Sequence, residues 1–218
     1  MFSGIIDAVG CVRACEDAPS GKTLVIQAAD YWGDAALGAS IAIDGVCLTV
    51  TRIDGAAAAF DVVAETLRRT TLGALRPGGA VNLQKSMSVG QRVDGHFVQG
   101  HVDAMATVVR TERSAAESLW WLEPDRSAMA CIIPKGSVAV DGISLTVAAV
   151  RDGRFSVALI PTTLDRTTLG RKREGSRVNI ETDILVRTVV HCLQSIGASA
   201  ADRAEGLTLD SLRRSGFA

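Results

Sequence analysis

Ser40–Val50 reads SIAIDGVCLTV and Ser137–Val147 reads SVAVDGISLTV, with seven of eleven positions identical at a shift of 97 residues. The same shift lays Glu65–Gln84 (ETLRRTTLGALRPGGAVNLQ) on Thr162–Glu181 (TTLDRTTLGRKREGSRVNIE), with eleven identities in twenty. A fainter echo joins FSGIIDAVGCV from Phe2 to VQGHVDAMATV from Val98. The chain is therefore a tandem duplication of one unit. What the copies share builds the scaffold, and what differs is the better guide to chemistry.

Working outward, each copy is a series of β-branched segments broken by Gly, Asp-Gly and Pro. The pattern predicts strands at Leu24–Ile26, Ile41–Ile43, Val46–Thr51, Phe60–Val63 and Val81–Leu83. The second copy repeats the series at Ile132-Ile133, Val138–Val140, Ile143–Val150, Phe155–Ile160 and Val178–Ile180. Asp44-Gly45 and Asp141-Gly142, between apolar runs, carry the chemistry of tight hairpin turns. The connections are too short for crossover helices, so the expected class is all-β, with a small antiparallel barrel in each copy. Helical turns are predicted at Tyr31–Leu37, Leu67–Leu75 and Leu164–Leu169. After Asp183, Leu185, Val186, Val189, Val190, Leu193 and Ile196 recur at helical spacing. Such a helix packs on its own chain or on copies of itself, and the second is expected here. The expected domains are 1–95, 96–184 and 185–218, the last a helix with a small, polar tail.

Composition narrows the function classes. A net charge of −1 with scattered Lys and Arg gives no electrostatic reason to expect nucleic acid or an anionic membrane as partner. Aromatics at 4% argue against a base-stacking platform. No apolar run approaches the roughly 20 residues of a membrane span, and Asp7 interrupts the first apolar stretch, so no signal peptide is expected. Five cysteines without CxxC spacing read as free thiols of a cytoplasmic protein. Phosphate-cradling GxGxxG and GxxxxGK[ST] motifs and a GxSxG elbow are all missing from the sequence.

Alternation supplies the site argument. Cys47 and Thr49 share one face of their strand, opposite Val46, Leu48 and Val50, and Ser144 and Thr146 repeat the arrangement. A small polar pair of this kind either faces solvent or turns toward a ligand. Each copy adds a second segment able to close on the same ligand, Glu65-Thr66 or Thr162-Thr163. The copies differ by a thiol, a carboxylate, an imidazole and an ammonium: Cys47 against Ser144, Glu65 against Thr162, His101 against Ile5, Lys135 against Gly38. Two near-identical pockets with unlike polar groups suit two copies of one substrate in unlike roles. His96 and His101 lack the spacing of a zinc pair, and no metal set is expected. His96 reads as structural and His191 as packing or surface.

The motifs MFSGII, SIAIDGVCLTV, ETLRRTTL, GHFVQGHVD, PKGSVAVDGISLTV, IPTTLDRTTLG and VNIETD, in this order, resemble the α-chain riboflavin synthases, built from two lumazine-binding repeats. The resemblance runs from Met1 to about Ile196. It implies two six-stranded Greek-key-like barrels and a C-terminal helix that assembles a homotrimer. It also implies dismutation of two 6,7-dimethyl-8-ribityllumazine molecules to riboflavin and 5-amino-6-ribitylaminouracil. No cofactor is implied, and association with lumazine synthase is a further expectation. By matching position, the N-barrel pocket takes Cys47, Leu48 and Thr49, then Asp61, Val62, Val63, Ala64, Glu65 and Thr66, with Gly100, His101 and Val102 from the next barrel's first strand. The C-barrel pocket takes Gly4, Ile5 and Ile6, then Ser144, Leu145 and Thr146, and Ala158, Leu159, Ile160, Pro161, Thr162 and Thr163. Lys135 reaches the N-barrel ligand of a neighbouring chain. Cys47, His101, Ser144 and Asp183 are the candidates for catalysis. The family pattern departs at Asp94 (usually Gly), Asp44 (commonly Asn) and Gln84 (commonly Glu). The competing reading is a non-catalytic lumazine or flavin carrier, such as an optical antenna protein.

Overall fold

The structure is a computed structural model that describes residues 1–114, 117–205 and 213. Six strands make the first barrel: β1 (Ala8–Ala18), β2 (Gly21–Gln27), β3 (Ser40–Ile43), β4 (Val46–Asp54), β5 (Ala57–Val63) and β6 (Ala80–Lys85). They close in the order β1-β2-β5-β4-β3-β6, every pair antiparallel. The second barrel uses β7 (Ala104–Arg113), β8 (Ser118–Pro124), β9 (Ser137–Val140), β10 (Ile143–Arg151), β11 (Arg154–Leu159) and β12 (Arg177–Thr182). Its cyclic order is the same with every number raised by six. Short helices α1 (Ala64–Arg69) and α3 (Pro161–Arg166) occupy equivalent places, each followed by a 3-10 turn. Helix α2 (Arg126–Met129) belongs to the second copy. Helix α4 (Ile184–Glu205) forms a compact unit distinct from residues 1–183.

Alternation decides which side chains fill each barrel. Val46, Leu48 and Val50 are buried in the first core beside Ile26, Phe60 and Leu83. Val147 joins Trp120, Phe155 and Ile180 in the second. The apolar residues of α4 at 185, 189, 193 and 196 are exposed.

Three expectations need correction. Ile132 and Ile133 do not form a strand; they leave α2 through tight turns, with Ile132 N–H donating to Met129 O at 3.2 Å. Pro134 follows without an N–H to offer a ladder. The strand equivalent to β2 is instead β8, whose Trp-rich sequence pairs with β11 from Phe155–Leu122 to Leu159–Ser118. Residues 31–37 are turns without a helix. Tyr31 and Trp32 are pinned there by side-chain bonds to Asp7 and to Ala56 O. Strands β1 and β7 went unread because Gly, Cys and charged residues mask their alternation.

The two Asp-Gly hairpins lie back to back where the copies meet. Asp44 and Asp141 both hold φ of 45°, and Gly45 and Gly142 follow at 76° and 79°, as a type I′ turn requires. A Cβ on Gly45 would lie 2.5 Å from Gly142 N. Around them the polar groups pair across the pseudo-twofold. Asn82 Nδ2 donates to Asp141 O at 3.0 Å, and Asn179 Nδ2 to Asp44 O at 2.8 Å. Each Asn also accepts a main-chain N–H from the other copy's 3-10 turn: Thr168 to Asn82 and Thr71 to Asn179, both 2.8 Å. Buried polar atoms with these partners specify how the barrels dock. Asn179→Ala leaves Asp44 O and Thr71 N–H unpaired, and the expected loss is about 2–5 kcal/mol of unfolding free energy. Denaturant titration checks it, and a loss near zero contradicts the network's role.

Candidate active site

The leading segments of the two copies meet antiparallel, with Phe2 N–H on Val98 O at 2.7 Å and Val98 N–H on Phe2 O at 3.0 Å. Each then lies on the other copy's barrel. Gly100 O accepts Cys47 N–H at 2.9 Å, and Gly4 O accepts Ser144 N–H at 2.8 Å. A Cβ on Gly100 would sit 2.5 Å from Cys47 Cβ, and one on Gly4 2.6 Å from Ser144 Cβ. Both glycines hold positive φ, 82° and 75°, so only glycine serves at either crossing. Each barrel therefore has its polar strand floored by main chain from the other repeat.

On the first barrel, Cys47 is half-buried and Thr49 exposed, on one face of β4. His101 is exposed and Val102 half-buried beside them in the crossing segment. Asp61 and Val63 are exposed at the end of β5 and lead into Ala64, Glu65 and Thr66 of α1. Thr23 Oγ1 donates to Asp61 at 2.7 Å. Glu65 ion-pairs along its own helix with Arg68 and Arg69, whose hydrogen bonds hold its carboxyl below the usual range. The side chains of Leu48 and Val62 are in the core, so only their main chain is available to a ligand.

On the second barrel, Ser144 is half-buried and Thr146 exposed on β10, with Leu145 half-buried between them. Gly4 is buried, Ile5 exposed and Ile6 half-buried, and Ile6 packs against the second core. Ala158, Ile160, Pro161 and Thr162 are exposed and Thr163 half-buried, whereas the Leu159 side chain is in the core. A cavity of 540 Å³ beneath α3 touches Leu159 and Pro161 but none of Ser144, Leu145 or Thr146. That hollow is separate from the polar strand face.

The residue that sequence reasoning underrated is His96. Its Nδ1 is 2.7 Å from Ser144 Oγ, and its Nε2 is buried without a partner among the described residues. Burial lowers the imidazole pKa below its ordinary value, with the nearby Asp183 carboxylate pulling weakly the other way. A neutral imidazole can accept a hydrogen bond from the Ser144 hydroxyl, so Ser144 and His96 form one pair, with the Asp183 carboxylate close enough to act on the imidazole through its charge. No spacing rule links positions 96 and 144; the only hint was that His96 shares the GHFVQGHVD segment with His101. Lys135 is exposed with φ of 67°, in the place where Gly38 holds 83°. Both donate equivalently, Lys135 N–H to Val147 O at 2.8 Å and Gly38 N–H to Val50 O at 2.9 Å. Lysine at a glycine position carries a backbone penalty, which points to a use for its side chain. Asp94 also has positive φ, 48°.

Twin barrels with exchanged leading segments and small polar floors define a lumazine-binding architecture. The lumazine binding domain family matches residues 3–85 and 99–183. Riboflavin synthase of Mycobacterium bovis is 43% identical over 203 residues, 90% of this chain and 100% of that protein. Its Escherichia coli counterpart is 39% identical, covering 91% of this chain and 94% of that one. The Bacillus subtilis protein is 35% identical over the full length of both. The chain belongs to the riboflavin synthase family, whose members are transferases. Among solved structures, LumP complexed with riboflavin superposes with a TM-score of 0.78 at 23% identity, over 84% of this chain and 99% of that one. LumP complexed with 6,7-dimethyl-8-(1'-D-ribityl) lumazine gives 0.75 at the same identity and coverage. At that identity the likeness carries the fold alone.

If Ser144 and His96 act as one unit, His96→Ala and Ser144→Ala each slow turnover by roughly 10²-fold, and the double variant is little worse than either single one. Steady-state kinetics on the three variants decide it. Multiplicative losses mean the two side chains act independently.

Proposed function

We infer that this chain is a riboflavin synthase, a transferase that dismutates two molecules of 6,7-dimethyl-8-ribityllumazine to riboflavin and 5-amino-6-ribitylaminouracil. The observation that carries the reading is the pair of equivalent polar floors, Cys47/Thr49 under Gly100 and Ser144/Thr146 under Gly4. Each fits one face of a flat heterocycle with a polyol arm, and they occur in a chain that matches riboflavin synthases over its length. The balance is internal: one lumazine loses a four-carbon unit, the other gains it, and no outside oxidant or reductant is required.

The assignments at this level are ours. Residues 1–95 and 96–184 are the two lumazine-binding units, and 185–218 is a trimerisation helix with its tail. The N-barrel pocket uses Cys47, Leu48, Thr49, the segment from Asp61 to Thr66, and Gly100, His101 and Val102. The C-barrel pocket uses Gly4, Ile5, Ile6, Ser144, Leu145, Thr146 and the segment from Ala158 to Thr163. Hydroxyls and main-chain groups pair with the ribityl arm and the pyrimidine edge, each neutral bond contributing about 0.5–1.5 kcal/mol. Holding two rings face to face supplies much of the rate. The acidic C7 methyl of one lumazine needs a base. Ser144 backed by neutral His96 is well placed to serve at the C-barrel, while Cys47 and His101 furnish the N-barrel's proton handling and Asp183 supports His96. The N-barrel of one chain faces the C-barrel of another in a homotrimer, with Lys135 reaching across. The protein acts in the cytoplasm, uses neither metal nor organic cofactor, associates with lumazine synthase, and has no nucleic-acid or membrane partner. The open apolar positions along α4 suit assembly.

Purified protein given dimethylribityllumazine alone is expected to form riboflavin at a rate unchanged by EDTA. A carrier would change the ligand's fluorescence with no product, and that result sinks the enzyme reading. Deleting residues 185–218 is expected to give monomers with at least tenfold lower activity. A fully active monomer by light scattering would show that the site does not span chains.

A further inference from the structure

One buried carboxylate holds three consecutive main-chain donors. On β12, Glu181 Oε1 accepts the Gln99 N–H at 2.6 Å, and Oε2 accepts those of Gly100 and His101, both at 2.9 Å. The residue is only 3% exposed. The three donors belong to the segment that lies on the first barrel, where Gly100 O meets Cys47 N–H. The other copy solves the same problem differently. There Gln84 Oε1 accepts Gly4 N–H at 3.0 Å, and Nε2 donates to Ser3 Oγ at 2.8 Å. An amide offers one accepting oxygen and suffices for one N–H. Donors arriving on both oxygens favour the ionised carboxylate, which accepts strongly at each, whereas protonation turns one oxygen into an O–H donor and a weak acceptor.

We propose that Glu181 is a positioning residue of the N-barrel pocket: its ionised carboxylate holds the main chain of Gln99, Gly100 and His101 against Cys47. Protonation of this one group loosens that pocket and leaves the Gln84-anchored C-barrel pocket intact. The proposal rests on the reading of Cys47, Thr49 and His101 as a lumazine pocket.

The electrostatics place the transition within working range. Burial pushes the Glu181 carboxyl up to about 7, against the pull of its three N–H donors, and the neighbouring Asp103 carboxylate adds to the rise. Asp103 is itself occupied, accepting from Thr182 N–H at 2.8 Å and Thr182 Oγ1 at 2.7 Å. The His101 imidazole, exposed on the same segment, is the other ionisable side chain carried there. The folded protein thus binds the Glu181 proton more tightly than the unfolded chain, whose carboxyl has its ordinary value of 4.5. The contribution to stability therefore declines as pH rises from about 4.5 to about 7 and is constant above. Activity runs the opposite way, because the ionised form sets the pocket. Opposed trends of stability and turnover are the signature of a positioning charge.

The test uses the full chain with Glu181→Gln, Asp103→Asn and Thr49→Val. It reads riboflavin formation between about pH 5.5 and 9, thermal midpoints at about pH 6 and 8, and riboflavin affinity. In the parent, turnover should fall about tenfold per unit below about pH 7 while the midpoint holds or rises. Glu181→Gln should lower kcat roughly tenfold at about pH 8, flatten the acid limb, and leave the midpoint there unchanged or higher. Asp103→Asn, which removes the adjacent charge and keeps an acceptor, should move the acid limb to lower pH. The proposal fails if Glu181→Gln keeps the parent's kcat and limb, if its rate and midpoint drop together, or if Asp103→Asn leaves the limb in place. Thr49→Val separates the two levels. If it binds riboflavin as the parent does, the pocket reading fails and takes the clamp with it. If it is impaired while Glu181→Gln behaves like the parent, the clamp alone fails.

Discussion

Everything at the candidate site depends on peptide lying directly on peptide where Gly4 crosses Ser144 and Gly100 crosses Cys47. The contact distances leave no room for a Cβ, and the positive φ at both glycines would strain any L side chain in the same place. This constraint ties fold to function in a specific way. A polar pair on a strand is ordinary; a polar pair overlain by another strand's main chain becomes a floor with fixed donors and acceptors. Because each overlay comes from the opposite repeat, neither barrel owns a complete pocket. Residues 1–183, both repeats together, form one compact unit.

The hairpin centre keeps those overlays in register, and there the duplication is symmetric in backbone but not in charge. Asp44 and Asp141 are both buried, each accepting the N–H of an Asn on the neighbouring strand, Asn82 at 2.8 Å and Asn179 at 2.7 Å. One cation serves both. Lys172 Nζ lies 2.7 Å from Asp141 Oδ2, and its counterpart in the first copy is Leu75. Desolvation raises both carboxyls, and the mutual repulsion of the two aspartates adds to the rise at Asp44. An asparagine at 44 would keep the Asn82 bond without that charge. Retaining a buried ion set of this kind trades stability for a single docking geometry.

Periodicity of two and the Asp-Gly pairs made most of the barrels legible, because one face of β4 and β10 is core and the other is not. The same logic failed for β1 and β7, where Gly, Cys, Arg and Glu interrupt the apolar beat. Strand β8 does alternate, but its Trp-rich stretch has no β-branched residue to mark it as a strand. Ile132 and Ile133 misled for the converse reason: two β-branched residues without length or a following N–H cannot extend a ladder. At the site, the polar pairs Cys47/Thr49 and Ser144/Thr146 were legible from strand alternation, whereas the close glycine crossings over Cys47 and Ser144 emerge only from the three-dimensional contacts. His96 and Glu181 were not legible either, since each acts on a residue 48 or about 80 positions away. Such partnerships are set by closure of the barrels and leave no local spacing to read.

Dismutation asks one molecule to play two parts, and a duplicated domain supplies what that needs. The shared features, glycine crossings with threonines at 49 and 146, present the same binding geometry to the same ligand twice. The unshared ones set the parts. On the second barrel a buried imidazole, held neutral by desolvation, lies within hydrogen-bond distance of Ser144. On the first barrel the corresponding groups are the half-buried thiol of Cys47 and the exposed imidazole of His101. Gln84 and Glu181 extend the same division beneath the floors, one neutral and one ionisable. Transfer in either direction gives the same two products, so the inequality between the copies bears on which pocket plays which part and not on whether carbon moves.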